Sequence, residues 1–122
     1  MSRVTHFEIP ADDPERAIKF YEEVFGWRIE KWAGPIEYWL VMTGPEDQPG
    51  IDGGLARRED PSVGVENIID VQDLSSSLEA VPAQGGKVIR PRVAVPGVGW
   101  IAYITDTEGN VFGLMERDPN AS

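Results

Sequence analysis

From Val4 to Ile9 the chain alternates, with Thr5, Phe7 and Ile9 on one side and Val4, His6 and Glu8 on the other. A period of two predicts a strand with one dry face and one face that accepts polar groups. A helix is expected next. Asp13 stands at the N-cap position, Pro14 at the first helical residue and Glu15 in the first turn, where a carboxylate meets unbonded backbone N–H groups. Ala17, Ile18, Tyr21, Val24 and Phe25 then recur on one side of a helical period, opposite Glu15, Arg16, Lys19, Glu22 and Glu23. Gly26 can adopt the left-handed conformation that stops a helix.

A weaker copy of this unit begins sixty residues later, so that His6 falls on Glu66, Asp13 on Asp73, Ile18 on Leu78, Gly26 on Gly86 and Ile29 on Ile89. In the first copy, residues 28–32 and 36–43 read as strands around a break at Ala33-Gly34-Pro35. A turn cluster at 44–50 and a short strand at 53–56 follow, and 57–62 forms a connector. In the second copy, 65–71 reads as a strand and Asp73 as an N-cap. Leu74, Leu78 and Val81 form the apolar side of a helix. Ser75, Ser76, Ser77 and Pro82 weaken that helix, which is expected to be short or distorted before Gly85-Gly86.

Residues 87–90 read as the next strand, and 91–99, with two prolines and two glycines, as a long surface loop near a site mouth. Residues 100–105 and 110–116 make a hairpin about a turn at 106–110, where Gly109 and Asn110 can take positive φ. The acids of that turn suit hairpin closure better than a cation site. The polar tail, 117–122, is expected to fray. Gly54-Leu55 aligns with Gly113-Leu114, and Tyr38–Thr43 with Trp100–Thr105. Each half therefore reads strand, helix, strand, strand, strand. The expected class is α+β, a single domain over 1–122 with tandem βαβββ modules at about 3–57 and 63–117.

Composition narrows the function. The chain has 122 residues, 41% hydrophobic and 26% charged, which suits one globular domain. It contains no cysteine, so disulfides, thiolate metal sites and cysteine nucleophiles are excluded. A net charge of -10 argues against nucleic acid, whose binding needs a basic surface. No run of about twenty apolar residues and no signal-peptide pattern occur, so a soluble cytoplasmic protein without membrane contact is expected.

Thr5-His6-Phe7-Glu8-Ile9, Ile18-Lys19-Phe20-Tyr21, Val24-Phe25-Gly26-Trp27, Gly85-Gly86-Lys87-Val88, Pro96–Trp100 and Asp106–Leu114, in that order, carry a family pattern over most of the chain. The sequence resembles the vicinal oxygen chelate superfamily, which includes glyoxalase I, extradiol dioxygenases, methylmalonyl-CoA epimerase and the bleomycin resistance proteins. The resemblance implies eight strands forming an open barrel around a pocket with two helices outside, commonly in a homodimer. It also implies a small-molecule ligand and metal-binding positions on the first and fourth strands of each module.

Those four positions read His6, Gly54, Glu66 and Gly113. Glycine offers no side-chain donor, so His6 and Glu66 alone would hold a divalent metal weakly at most, and no cofactor is expected. Glu8 shares the face of His6, and Asp70 that of Glu66, whereas Glu116 points away from the face of Gly113. His6, the one histidine, is the leading candidate for a general base or ligand contact, with Glu66 its partner in catalysis. A His6–Glu66 pair would favour the charged imidazolium and raise the histidine pKa.

Candidate ligand-binding positions are Glu8, Trp39, Trp100, Gly54 and Gly113. Tyr38, Met42 and Tyr103 lie on the same strands, about half of whose residues must turn away from the pocket. Trp100, beside the glycine-rich segment, is the preferred aromatic wall. The expectation is a glyoxalase-like pocket protein that binds or transforms a small organic ligand without a tightly bound metal. The alternative is a metal-dependent lyase, isomerase or dioxygenase of the same superfamily, of the lactoylglutathione lyase type, using His6 and Glu66.

Overall fold

The computed structural model describes residues 2–122. Eight strands and two helices follow in the order β1 (Arg3–Ala11), α1 (Pro14–Phe25), β2 (Arg28–Lys31), β3 (Trp39–Met42), β4 (Gly53–Arg57), β5 (Glu66–Asp70), α2 (Leu74–Ala83), β6 (Lys87–Val95), β7 (Gly99–Thr105) and β8 (Val111–Arg117). The chain divides into two compact units, one of His6–Val65 and one of Glu66–Ser122 that also takes in the start of β1. This is the expected repeated βαβββ pattern, in open sheets of mixed pairing. Among the described residues, no helix is long and apolar enough to cross a membrane.

In the first unit the strand order is β2-β3-β4-β1, with β1 parallel to β4 and the other neighbours antiparallel. α1 forms where the sequence places it. The Asp13 carboxylate accepts from the Arg16 amide at 3.2 Å, Pro14 begins the helix, and Gly26 ends it at φ 71°, its N–H donating to the Glu22 carbonyl. Ala17, Ile18 and Tyr21 pack onto Ile9, Ala11, Val41 and Leu55, the buried core of the unit. The helix thereby covers one face of the sheet.

The last turn of α1 departs from the expected burial. Val24 and Phe25, placed by periodicity on the packed side, are 55% and 57% exposed. Here the contacts run from ring to ring, with Phe25 5.4 Å and Tyr21 5.2 Å from Trp27, rather than from helix to sheet.

The second unit is ordered β5-β8-β7-β6, with β5 parallel to β8. Asp73 caps α2 through the Ser76 amide and hydroxyl, and the Glu116 carboxylate accepts from the Leu74 amide at 2.8 Å. Both the side chain of Asp73 and that of Glu116 thus serve backbone donors that a helix N-terminus leaves unbonded. The backbone hydrogen bonds made to Asp73 by Ser76 hold its carboxyl below the usual range. The far end of α2 is irregular, as Pro82 foretold. The amides of Gln84, Gly85 and Gly86 crowd onto the carbonyls of Ala80, Val81 and Pro82. Leu74, Ala102, Ile104 and Leu114 form this unit's core, with Leu78, Val81 and Trp100 packed against them.

Residues 36–38, expected in a strand, precede β3, and three further segments differ from the sequence expectation. Residues 91–95, read as part of a long loop, continue β6, and only a short turn separates it from β7. Proline is tolerated because β6 is an edge strand whose pairing with β7 shifts register between Arg90 and Val93, so the missing N–H at Pro91 breaks no regular ladder. In the 106–110 turn Gly109 alone takes positive φ, at 85°. Asn110 instead donates from its amide and side chain to Asp106, whose carboxyl is held low by those bonds.

The tail is docked rather than frayed. Asp118 accepts from the Trp100 indole N–H at 3.1 Å, the Gly97 amide donates to the Ala121 carbonyl, and Ala121 is 3% exposed. The Asn120 amide, then Trp100 and the charge of Arg92, hold the Asp118 carboxyl below its usual range.

Deleting residues 118–122 should therefore cost about 1 kcal/mol or more of stability, several degrees of Tm, by calorimetry. A frayed tail would leave Tm unchanged. Leu55→Ala, which empties the centre of the first core, should cost about 2–5 kcal/mol in denaturant unfolding.

Candidate functional site

Alternation along β1 sends Phe7, Ile9 and Ala11 toward α1 and leaves His6 and Glu8 on the opposite face of the first sheet. The register sets Glu8 beside Gly54, and Gly54 beside Leu40. Tyr38, just ahead of β3, lies across Gly54. Its hydroxyl meets His6 Nε2 at 2.8 Å and donates toward Glu8 Oε2 at 3.5 Å.

The glycine at 54 is what permits this. A Cβ built on Gly54 would overlap the Tyr38 hydroxyl, so the tyrosine occupies the volume that any side chain at 54 would need. The second unit repeats the arrangement with hydrocarbon. Ile68 stands beside Gly113 in register, and a Cβ on Gly113 would overlap Ile68 Cδ1. Both glycines expected as vacated ligand positions are thus covered by a neighbour, one by a hydroxyl and one by a methyl.

The three polar groups are coupled by proton count. Tyr38 Oη carries one hydrogen. When that hydrogen points to Glu8, His6 must bring its own on Nε2; when Nε2 is bare, the tyrosine donates to it. Burial, reinforced by the charge and hydrogen bond of Glu8, pushes the Tyr38 pKa far above the ordinary tyrosine value, so the hydroxyl stays neutral and able to donate. Leu40 and Met42, on the same face, add an apolar surface beside this polar group.

Other expected site residues fall elsewhere. Trp39 packs with the core under α1, with Lys31 Nζ 5.8 Å from its ring. Trp100 packs against the second unit's core of Leu74, Ala102, Ile104 and Leu114. Arg92 lies 4.3 Å over its ring, and its indole N–H is engaged by Asp118. Trp39 alternates with Tyr38 and Leu40 and so faces the core; for Trp100 the reason is a one-residue slip between the repeats. Leu40 stands beside Gly54 as Tyr103 stands beside Gly113, so Ile101 and not Trp100 takes the place of Tyr38. A slip of one turns every side chain to the opposite face.

Glu66 opens β5 in the second unit, two residues before Ile68, as His6 stands two before Glu8. Asp70 pairs with Arg117 at 3.0 Å, and Glu116 caps α2. Within neither unit do three or more His, Asp or Glu side chains among the described residues gather as a metal-holding group. With Gly54 and Gly113 donorless and overlaid, and Tyr38 held protonated, the donor sets of the separate units do not fit a tightly held divalent metal.

Tyr38 itself was not singled out in the sequence as a polar site residue. The available signal was the pair Gly53-Gly54 inside a strand, which marks close approach by another group.

With this geometry in view, the comparisons with known proteins agree on a family. The family model described as bleomycin resistance protein-like N-terminal matches residues 3–44. A glyoxylase-like domain-containing protein of Didymella fabae is 34% identical over 120 residues, covering 94% of each chain. A lactoylglutathione lyase of Haemophilus influenzae is 28% identical over 130 residues, covering 98% of this chain and 96% of that protein. The crystal structure of methylmalonyl-CoA epimerase from Mycobacterium tuberculosis superposes with a TM-score of 0.67 at 20% identity, over 94% of this chain and 87% of that one, a likeness of fold. Some plant relatives are much longer, and the chain spans 36–45% of their length.

The chain belongs to the glyoxalase/bleomycin resistance/dioxygenase superfamily, as a glyoxalase-like member.

The Tyr38 shift has a consequence for stability. Below the ordinary tyrosine value of 10 the hydroxyl is protonated in both folded and unfolded chains. Above it the unfolded chain releases the proton while the folded one keeps it, so stability falls as pH rises through this window. Denaturant unfolding at pH 9 and about pH 11 should show that fall, and Tyr38→Phe should make it shallower.

Proposed function

We propose that the face of the 6–65 sheet opposite α1 binds the polar end of a small organic molecule through His6, Tyr38 and Glu8, and that the protein works without a tightly bound divalent metal. The observation that carries this reading is the Tyr38 hydroxyl, seated over Gly54 and joining His6 to Glu8. An imidazole, a neutral hydroxyl and a carboxylate in contact can take a proton from a bound molecule at one end and return it at the other. The apolar part of the ligand rests on Leu40 and Met42. Glu66, at the equivalent place in the second unit, is proposed as a ligand contact on that unit's own sheet. The same reading has the protein acting as a homodimer in the cytoplasm, either sequestering its ligand or transforming it by proton transfer.

The competing reading is a metal-dependent lyase, favoured by the similarity to the Haemophilus influenzae lactoylglutathione lyase along nearly the whole chain. The two separate in one experiment. Protein prepared without chelator and analysed for zinc, nickel, cobalt, manganese and iron should hold well under one equivalent in total. In a lactoylglutathione lyase assay it should show no turnover that depends on added metal. Near-stoichiometric metal that is lost in His6→Ala, together with metal-dependent turnover, would overturn the proposal. Small-molecule ligands found by thermal shift should lose about ten-fold or more in affinity on Tyr38→Phe, the loss of one buried hydrogen-bonding group.

A further inference from the structure

Tyr38 is reached by a short segment, residues 32–38, between β2 and β3. The Trp32 amide donates to the Tyr38 carbonyl at 2.8 Å, closing the segment at its base. Above that bond the Trp32 ring meets the Tyr38 ring edge to face, with centroids 6.0 Å apart and planes at 80°. Such a contact fixes the direction of the tyrosine ring as well as its position. The six-membered ring of the indole rests on Gly34. A Cβ built there would overlap three ring carbons of Trp32, Cη2, Cζ2 and Cζ3.

Gly34 does not take a positive φ, unlike Gly26 or Gly109. Its backbone conformation is open to any residue, so glycine serves here by leaving room and not by bending the chain. The contacts form a line: Gly34 seats Trp32, Trp32 stands against Tyr38, and Tyr38 reaches His6 and Glu8.

We propose that Trp32 is a positioning residue for the Tyr38 hydroxyl and that the missing side chain at Gly34 is what lets it act. This rests on the reading of His6, Tyr38 and Glu8 as the site. Trp32 holds the hydroxyl over Gly54 before any ligand arrives, so the relay is formed in the free protein. Moving the indole frees Tyr38 to turn toward solvent, where its bond to His6 is lost and its ionisation returns toward that of an ordinary tyrosine.

The test uses the full chain with neither ligand nor metal added. His6 is the one histidine, so a nitrogen-15 spectrum of the imidazole holds one set of ring signals, and the Nε2 signal reports the bond to Tyr38. The second readout is the ionisation of Tyr38, followed by the carbon-13 shift of its hydroxyl-bearing ring carbon and assigned by its absence in Tyr38→Phe.

Gly34→Ala should shift the Nε2 signal at neutral pH and lower the Tyr38 ionisation toward 10. Trp32→Ala, which adds no overlap, should do the same. Adding Trp32→Phe to Gly34→Ala should return both readouts most of the way, because the smaller ring clears the added methyl and still offers an edge to Tyr38. Unchanged His6 and Tyr38 signals in both Gly34→Ala and Trp32→Ala would overturn the proposal. So would a double variant that stays as shifted as Gly34→Ala. Because the signals are read in the free protein, such a failure is separate from a failure of the metal and ligand assays.

Discussion

The Tyr38 hydroxyl and a side chain at position 54 cannot occupy the same space, and much of the site's chemistry follows from which of the two is present. Glycine at 54 lets a phenol from the approach to β3 lie between an imidazole and a carboxylate on β1. A donor at 54 would expel it. The exchange replaces a position that can grip an ion with a group that stays neutral and shares hydrogens. In the second unit the same vacancy is overlaid by Ile68, which shares none, so the two halves have used one backbone plan for different surfaces.

Local chemistry made the helices and most strands legible in the sequence. Asp13, Pro14 and Gly26 mark the ends of α1 by interactions confined to a few neighbouring residues, and Asp73 does the same for α2. Signals that depend on a distant partner were not legible in this way. The proline at 91 reads as a loop until β6 is known to be an edge strand with a shifted register. The polar tail reads as frayed until Trp100 and Gly97 are seen to bind it. Phe25 reads as buried until Trp27 supplies a ring for it to meet outside the sheet.

The candidate site divides along the same line. That His6 and Glu8 share a face of β1 was legible from alternation on a single strand. Trp100 was misplaced because two repeats that share a fold need not share an alignment to the residue, and in a sheet an error of one exchanges front for back. The part played by Tyr38 depends on three strands and on an absent side chain, a combination that no window of sequence contains. Even so, Gly53-Gly54 within a strand carried a trace of it, since consecutive glycines there mark a place where other atoms need to come close.

β6 has one further consequence. It is the longest strand of the second unit, nine residues at the edge, with Val88, Ile89 and Val93 exposed by 40%, 47% and 55%. A free edge of that length is a template on which another chain can lay down a strand and begin to aggregate. Lys87, Arg90, Pro91 and Arg92 interrupt it with charge and a missing donor. Pro91, which first suggested a loop, thus acts with these charges as a gatekeeper, and together they keep a hydrophobic border from recruiting unwanted copies.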